Sequence, residues 1–463
     1  MPVTFAAAAP DPLPVQTYET SPRQATPEDR YALAGGCYAV QDHTTGRWLT
    51  RADGTFTATA TSAAAAEPFH LQATDLGRYL LFGTAQDFLS ADGDTVVAAP
   101  APSENADFVL DGNPADGYAL ALGDQGVAVG SDGALTVGTP SPLAFSVRSG
   151  CASWPEITTN VSGDVIGQGT SYEESRGYLD AHLHTRAFEF VGGQARCGRP
   201  WHPYGVAYAL VDCPDRAAGG RGAVLETVLS GGDPVAGHDT VGWPTFGYWP
   251  RHDSLTHEQI YYRWLERTWR GGLRLMTTLL VENGQLCTVY PLKQNSCNEM
   301  DAVRLQAERM RELIRYVDAQ AGGPGEGWLQ VVTDPEQARR VMNEGRLAVV
   351  LGIEISQLFD CTTVRGVAGC TQESIDADLQ AVYDLGVRQM ELANKFDNAL
   401  TGVTGDEGET GVIVNNGNLQ TTGSYWQMAT CEGTFEPSGI EHDHDHDVDR
   451  RQLNPADDTG APR

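Results

Sequence analysis

Apolar positions in the second half of the chain follow two alternating periods. Leu273 to Val281 and Leu347 to Ile355 are short, almost unbroken apolar runs, and Val387 to Ala393 is a third. Between them, apolar residues recur three and four apart, as in Met300, Val303, Ala307, Met310, Leu313 and Val317. Asn298 is placed to cap that helix and Gly322-Gly323-Pro324 to close it. Asp334-Pro335 opens another helix, with proline at the first helical position, and Gly345 ends it. Ser374 to Leu385 reads as helical up to Gly386. Upstream, Ser254 or Thr256 is expected to cap a helix carrying Ile260, Trp264 and Trp269 that stops at Gly271-Gly272. Strands that are apolar on both faces and alternate with helices predict a parallel sheet. The expected fold class over residues 152–436 is α/β, a TIM-type barrel.

The first half has a different rhythm. Leu49, Leu89 and Val129 recur at an interval of about 40 residues, each followed closely by Asp-Gly, at 53–54, 92–93 and 132–133. Phe69, Phe108 and Phe145 begin a second matching run, as Phe-His-Leu, Phe-Val-Leu and Phe-Ser-Val. Three copies with strand-like patterning and Gly/Asp turns predict an all-β, β-trefoil-like domain over residues 31–151. An irregular β-sandwich is the alternative. The chain is therefore expected to be multidomain.

Charge and cysteine usage narrow the setting. A net charge of −30 over 463 residues argues against nucleic-acid binding. No apolar run approaches the length of a membrane span. Nine cysteines are present, and the expected pairs are Cys37–Cys151, Cys197–Cys213, Cys287–Cys297 and Cys361–Cys370. Short bridged loops fit an oxidising compartment, so a secreted or cell-surface protein is expected. The alternative is a set of buried free thiols. Cys431 is left over, and a partner beyond residue 463 would account for it. Residues 1–30 read as a signal remnant and linker, with Phe5 to Pro10 similar to the small-residue end of a secretory signal. Residues 437–463 read as an acidic disordered linker, and His442, His444 and His446 within it as loose metal binders at most.

The candidate chemistry sits at the ends of the predicted strands. Asp-Ala-His-Leu-His at 180–184 closes a short apolar run, and side chains two apart on a strand face the same way. His182 and His184 are thus candidate ligands for one divalent ion. Glu354 ends an otherwise apolar strand, where a carboxylate is costly unless paired or bound to metal. Glu391, Asn394, Lys395, Asp397 and Asn398 follow the next strand, and the strand ends of a barrel build its active site. Arg199, Trp201 and His202 combine an anion-binding group, a stacking surface and a titratable ring. They are expected to line the same pocket.

These residues carry a family resemblance. Asp-Ala-His-Leu-His resembles the first barrel strand of the amidohydrolase superfamily. Leu-Gly-Ile-Glu at 351–354 and Leu-Gly-Val-Arg-Gln-Met-Glu-Leu at 385–392 are similar to strands of the renal (membrane) dipeptidase family. Cys-Gly-Arg-Pro-Trp-His-Pro-Tyr-Gly at 197–205 and Asn-Lys-Phe-Asp-Asn-Ala at 394–399 further resemble secreted bacterial relatives of those dipeptidases. The resemblance implies a metal-dependent hydrolase with a binuclear centre, with zinc the expected metal. His182 and His184 would hold one ion, Glu354 would bridge the pair, and a bridging water would attack an amide carbonyl. Two departures bear on specificity. His-x-His stands where renal dipeptidases have His-x-Asp, and Asn394 falls near their substrate-binding histidine. A dipeptide, an N-acyl amide, a lactone and a phosphoester all remain as substrates. Only four principal strands are predicted, 178–184, 273–281, 347–355 and 387–393, with a long insertion at 185–253. The chain is accordingly expected to carry the first half of the barrel, to lack later ligands, and to be inactive alone. The β-rich domain resembles fascin-like or ricin-like trefoils without the Gln-x-Trp motif. A non-catalytic protein that contacts carbohydrate through this domain is the competing class.

Overall fold

The computed structural model describes residues 29–163, 165, 175–211, 241–246, 249–250, 256–406 and 408–427. Cys213, Cys431, the histidines at 442, 444 and 446, the terminal linkers and about half of the 185–253 insertion lie outside the described residues.

The amino-terminal domain holds twelve strands in one antiparallel sheet. They are β1 Cys37–Asp42, β2 Trp48–Ala52, β3 Thr55–Ala60, β4 Pro68–Asp75, β5 Arg78–Phe82, β6 Phe88–Asp92, β7 Thr95–Ala99, β8 Phe108–Asn113, β9 Gly117–Leu122, β10 Gln125–Val129, β11 Leu135–Gly138 and β12 Leu143–Val147. Six of them pair in a closed ring, β1–β4–β5–β8–β9–β12 and back to β1. The other six form hairpins β2–β3, β6–β7 and β10–β11, one per sequence repeat. Each Asp-Gly pair is a hairpin tip. At the first, Asp53 (φ 52°) and Gly54 (φ 79°) are both left-handed, as a two-residue turn matching strand twist requires. The repeated apolar residues fill the centre: Leu49, Leu89, Phe69, Phe108 and Phe145 are all buried together. Cys37 and Cys151 are disulfide-bonded and close the domain.

The carboxy-terminal domain is built on a parallel sheet. Its strands are β13 Tyr178–Leu183, β14 Leu273–Glu282, β15 Leu329–Val331, β16 Leu347–Ile355 and β19 Val387–Met390, with a separate hairpin of β17 Thr363–Val364 and β18 Val367–Ala368. β14 lies between β13 and β16, and the far side of β16 is shared by β15 near its start and β19 near its end. The four expected strands are present, and β15 joins them. Where the first half of a TIM-type barrel was expected, the described residues form an open parallel sheet with β13 at one edge.

Among the described residues, seven helices accompany it: α1 Val206–Ala209, α2 Tyr262–Arg270, α3 Gly284–Val289, α4 Glu299–Ala321, α5 Pro335–Asn343, α6 Gln372–Asp384 and α7 Gly408–Thr422. Asn298 caps α4 by accepting from the Asp301 N–H, and Asp334 caps α5 in the same way through Gln337. Thr371 rather than Ser374 starts α6, in a reciprocal capping box. α2 starts later than expected, at Tyr262, and leaves out Thr256 and Ile260. The cause is competition for backbone: Cys197 exchanges hydrogen bonds with Thr256 and Glu258, and the Glu258 carboxylate accepts from the Ile260 N–H.

The apolar run of β16 divides by alternation. Val349, Leu351, Ile353 and Ile355 enter the core with Met300, Val303, Ala307 and Met310 of α4. Val350, Gly352 and Glu354 therefore lie on the opposite face. That places a carboxylate at the open end of the sheet.

Candidate metal centre

Three side chains from distant parts of the chain converge at the carboxy-terminal strand ends. His182 lies in β13 and His184 one residue past its end, with ring centroids 5.0 Å apart. Asp180 accepts from the His182 main-chain N–H at 3.0 Å and holds this edge turned. The Nε2 atoms of the two imidazoles are 3.2 Å apart, and Glu354 Oε2 lies 2.6 Å from that of His184 and 3.2 Å from that of His182. The side chains of His182 and Glu354 are 58% and 13% exposed, so the carboxylate is sheltered and the imidazoles face solvent.

The donor set fits a divalent ion. Ligand bonds near 2.0–2.1 Å in tetrahedral geometry put donor atoms about 3.3 Å apart. Two of the three separations match this, and the shorter one is a hydrogen bond from imidazole to carboxylate. Burial raises the affinity of Glu354 for a proton. The His184 hydrogen bond, the charge of both imidazoles and the Asn394 amide outweigh that, and the carboxyl stays below its ordinary range. Among the described residues, these three form the one group of metal-capable side chains this close together.

Asn394 donates from Nδ2 to Glu354 Oε1 at 2.6 Å, so it supports a donor of the centre. Glu391 leaves β19 beside Glu354: Ile353 pairs with Met390, and the Glu391 N–H donates to the Ile353 carbonyl. Burial and the neighbouring Glu354 raise its carboxyl pKa, while both histidines and Lys395 act against the rise. Lys395 is drawn to Asp406, at 3.1 Å. Asp397 is occupied within its loop, accepting from the Val403 N–H and from Asn418. Asn398 is buried, donates to the Ser356 and Leu392 carbonyls, and accepts from Leu400 and Thr401. These two residues shape the loop that presents Asn394. Ser356, two residues past Glu354, was not singled out by sequence. Its hydroxyl accepts from the Lys395 and Phe396 N–H groups and ties that loop to β16. A hydroxyl just beyond a strand-end carboxylate is the only signal it offers.

Arg199, Trp201 and His202 are gathered elsewhere. Trp201 stacks on Tyr316 at 5.0 Å, near the end of α4. The start of α4 marks the level of the centre, because Glu299 accepts from the Gly284 and Gln357 N–H groups just past β14 and β16. Tyr316 lies roughly 25 Å farther along the helix at 1.5 Å per residue. Arg199 sits over the Phe188 ring, and His202 stacks on Tyr208. Burial, with help from Arg199, pushes the His202 pKa down to about 4. Against the expectation that these three residues line the metal pocket, Trp201 packs near the far end of α4, while Arg199 and His202 pack on Phe188 and Tyr208.

Of the expected disulfides, Cys37–Cys151, Cys287–Cys297 and Cys361–Cys370 are formed. The Cys197–Cys213 pair lies outside the described residues because of Cys213. No helix among the described residues is long and apolar enough to cross a membrane.

No protein-family model and no curated protein matches the chain. Solved structures that it resembles in part include a GH43 β-1,3-galactosidase, at 14% identity and a TM-score of 0.22, over 24% of this chain and 27% of that one. A GlcNAcα1-4Gal-releasing endo-β-galactosidase from Clostridium perfringens is 12% identical, with a TM-score of 0.23, over 25% of this chain and 33% of that one. SeviL, solved bound to the asialo-GM1 saccharide, is 14% identical, with a TM-score of 0.21, over 25% of this chain and 98% of that one. The shared part thus spans about a third or less of the first two proteins. Likenesses this slight assign neither fold nor function.

Proposed function

We propose that the carboxy-terminal domain is a metal-dependent hydrolase of the amidohydrolase type, resembling the renal dipeptidases, in a secreted protein. The observation that supports this reading is the convergence of His182 Nε2, His184 Nε2 and Glu354 Oε2 from strand ends 170 residues apart in sequence. Two imidazoles and one carboxylate oxygen are a donor set suited to zinc, and three protein ligands leave a position for water or substrate. An ion there would supply Lewis acidity and a nucleophilic water near neutral pH. The protein's part is to hold the donors ready. Asn394 orients Glu354, Asp180 sets the strand edge carrying His182, and Glu391 leaves the neighbouring strand next to Glu354. The threefold pairing of the amino-terminal domain supports a β-trefoil, and its packing on α4 favours a structural role.

The test is zinc titration of the full chain by calorimetry, beside His184→Ala and Glu354→Gln. Each substitution removes one of three donors and should weaken binding at least 100-fold while far-ultraviolet dichroism stays unchanged. Loaded protein is then offered dipeptides, N-acyl amides, lactones and phosphoesters. Zinc affinity equal in wild type and His184→Ala would remove the basis of the proposal.

A further inference from the structure

Glu354 is held asymmetrically. Its Oε2 faces both imidazole Nε2 atoms, at 2.6 Å and 3.2 Å, while its Oε1 is taken by the Asn394 amide at 2.6 Å. A carboxylate that bridges two ions commonly offers one oxygen to each. An ion bound to Oε1 at about 2.0–2.2 Å would crowd the amide nitrogen already there. That amide contact is shorter than the usual 2.9–3.0 Å for N–H···O, so little slack remains. The loop behind Asn394 is also fixed. Ser356 accepts from the Lys395 and Phe396 N–H groups, and buried Asn398 ties the same turn to the Ser356 and Leu392 carbonyls. The main chain around Asn394 is thereby fixed, and its side chain is held on Glu354 by the one amide bond.

From this we infer that the centre holds one ion, and that Asn394 is the positioning residue that makes Glu354 a one-oxygen ligand instead of a bridge. The inference rests on the metal-hydrolase reading and departs from the paired-ion centre that the sequence resemblance implies. Asn394 acts through Glu354, turning Oε2 toward the imidazoles and keeping the carboxylate from rotating.

The experiment measures stoichiometry and affinity on the full chain, apart from any activity. The chain is stripped with chelator, titrated with Zn²⁺, dialysed and assayed by elemental mass spectrometry. A Mn²⁺-loaded sample is examined by electron paramagnetic resonance. Wild type should bind one Zn²⁺ per chain and give an uncoupled Mn²⁺ spectrum. Asn394→Ala should keep the stoichiometry of one but bind roughly 10–100-fold more weakly, the usual cost of losing a support behind a ligand. Asn394→Gln, which retains the amide, tests whether placement of the group matters and should fall between the two. Two ions per wild-type chain with an exchange-coupled spectrum would overturn the single-ion inference and leave the hydrolase reading intact. Equal affinity in wild type and Asn394→Ala would overturn the positioning role. Failure of wild type to bind any ion would overturn both readings at once.

Discussion

Glu156 is fully buried and accepts hydrogen bonds from the hydroxyls of Tyr261 and Tyr262, at 2.9 Å and 3.1 Å, and from the Ile157 N–H. Burial dominates, and its pKa is pushed up to about 7 from an ordinary 4.5. Glu282, at the end of β14, is raised to about 7 for the same reason despite three N–H donors. Each folded-state pKa lies above the unfolded value, so the native chain holds more protons between about pH 4.5 and 7. Their contribution to stability is therefore full below pH 4.5 and is lost as pH rises through 7. Glu156→Gln keeps the shape and removes the charge. Thermal melts of this variant should decline less between pH 5 and 8 than those of wild type, and melts with identical slopes would contradict the assignment. Glu354 lies on the other side of the balance, because the imidazoles and the Asn394 amide stabilise its charged form more than burial disfavours it.

β16 positions the centre by what its alternate residues touch. Gly352 lies two residues before Glu354 on the same face, and a Cβ there would come within 2.6 Å of the Leu279 side chain and 3.1 Å of Thr277, both on β14. Glycine lets β14 and β16 keep register at the level where Val281 pairs with Glu354. Gly352→Val should overpack this face, costing about 1–3 kcal/mol in urea unfolding. It should also shift Glu354 relative to β13 and weaken zinc binding. Full stability together with full zinc affinity in this variant would show that the strand spacing is not critical. On the opposite face, the 23-residue α4 supplies the core, with its apolar side on β14 and β16 and its cap and first turn at the strand ends.

The two domains meet along the last turns of α4. Ala319 enters the buried core of the β-rich domain, Gln320 donates to the Ala73 carbonyl, and Gln72 donates to Gln320. The segment after Cys151 adds to this junction: Trp154 packs against Phe82 and Phe88 of the first domain, while Ile157 joins the core of the second. One helix thus carries the level of the metal centre at its start and the domain contact at its end. Wild type should unfold in a single calorimetric transition. Ala319→Arg, which places a charge in an apolar core, should separate the domains into two transitions. A single unshifted transition in that variant would show that the contact does not couple them.

Local physics made much of this legible from the chain. The three Asp-Gly tips, the buried phenylalanine of each repeat, the caps at Asn298 and Asp334 and the apolar runs of β14 and β16 all depend on neighbours a few residues away, and their periods survive in a one-dimensional pattern. His182 and His184 were readable as a pair because they are two apart, and Glu354 because a carboxylate interrupts an apolar strand. Their meeting, which the family resemblance implied, could not be derived from the pattern itself, since it depends on how β13 and β16 flank β14. The same holds for Asn394, whose amide reaches Glu354 only because Ser356 and Asn398 fold the intervening loop back. Trp201 follows the metal histidines closely in sequence, yet stacking on Tyr316 holds it near the far end of α4. Nearness in sequence limits only how far a side chain can travel. Where it ends up was decided by the tertiary contacts that buried the apolar surface between.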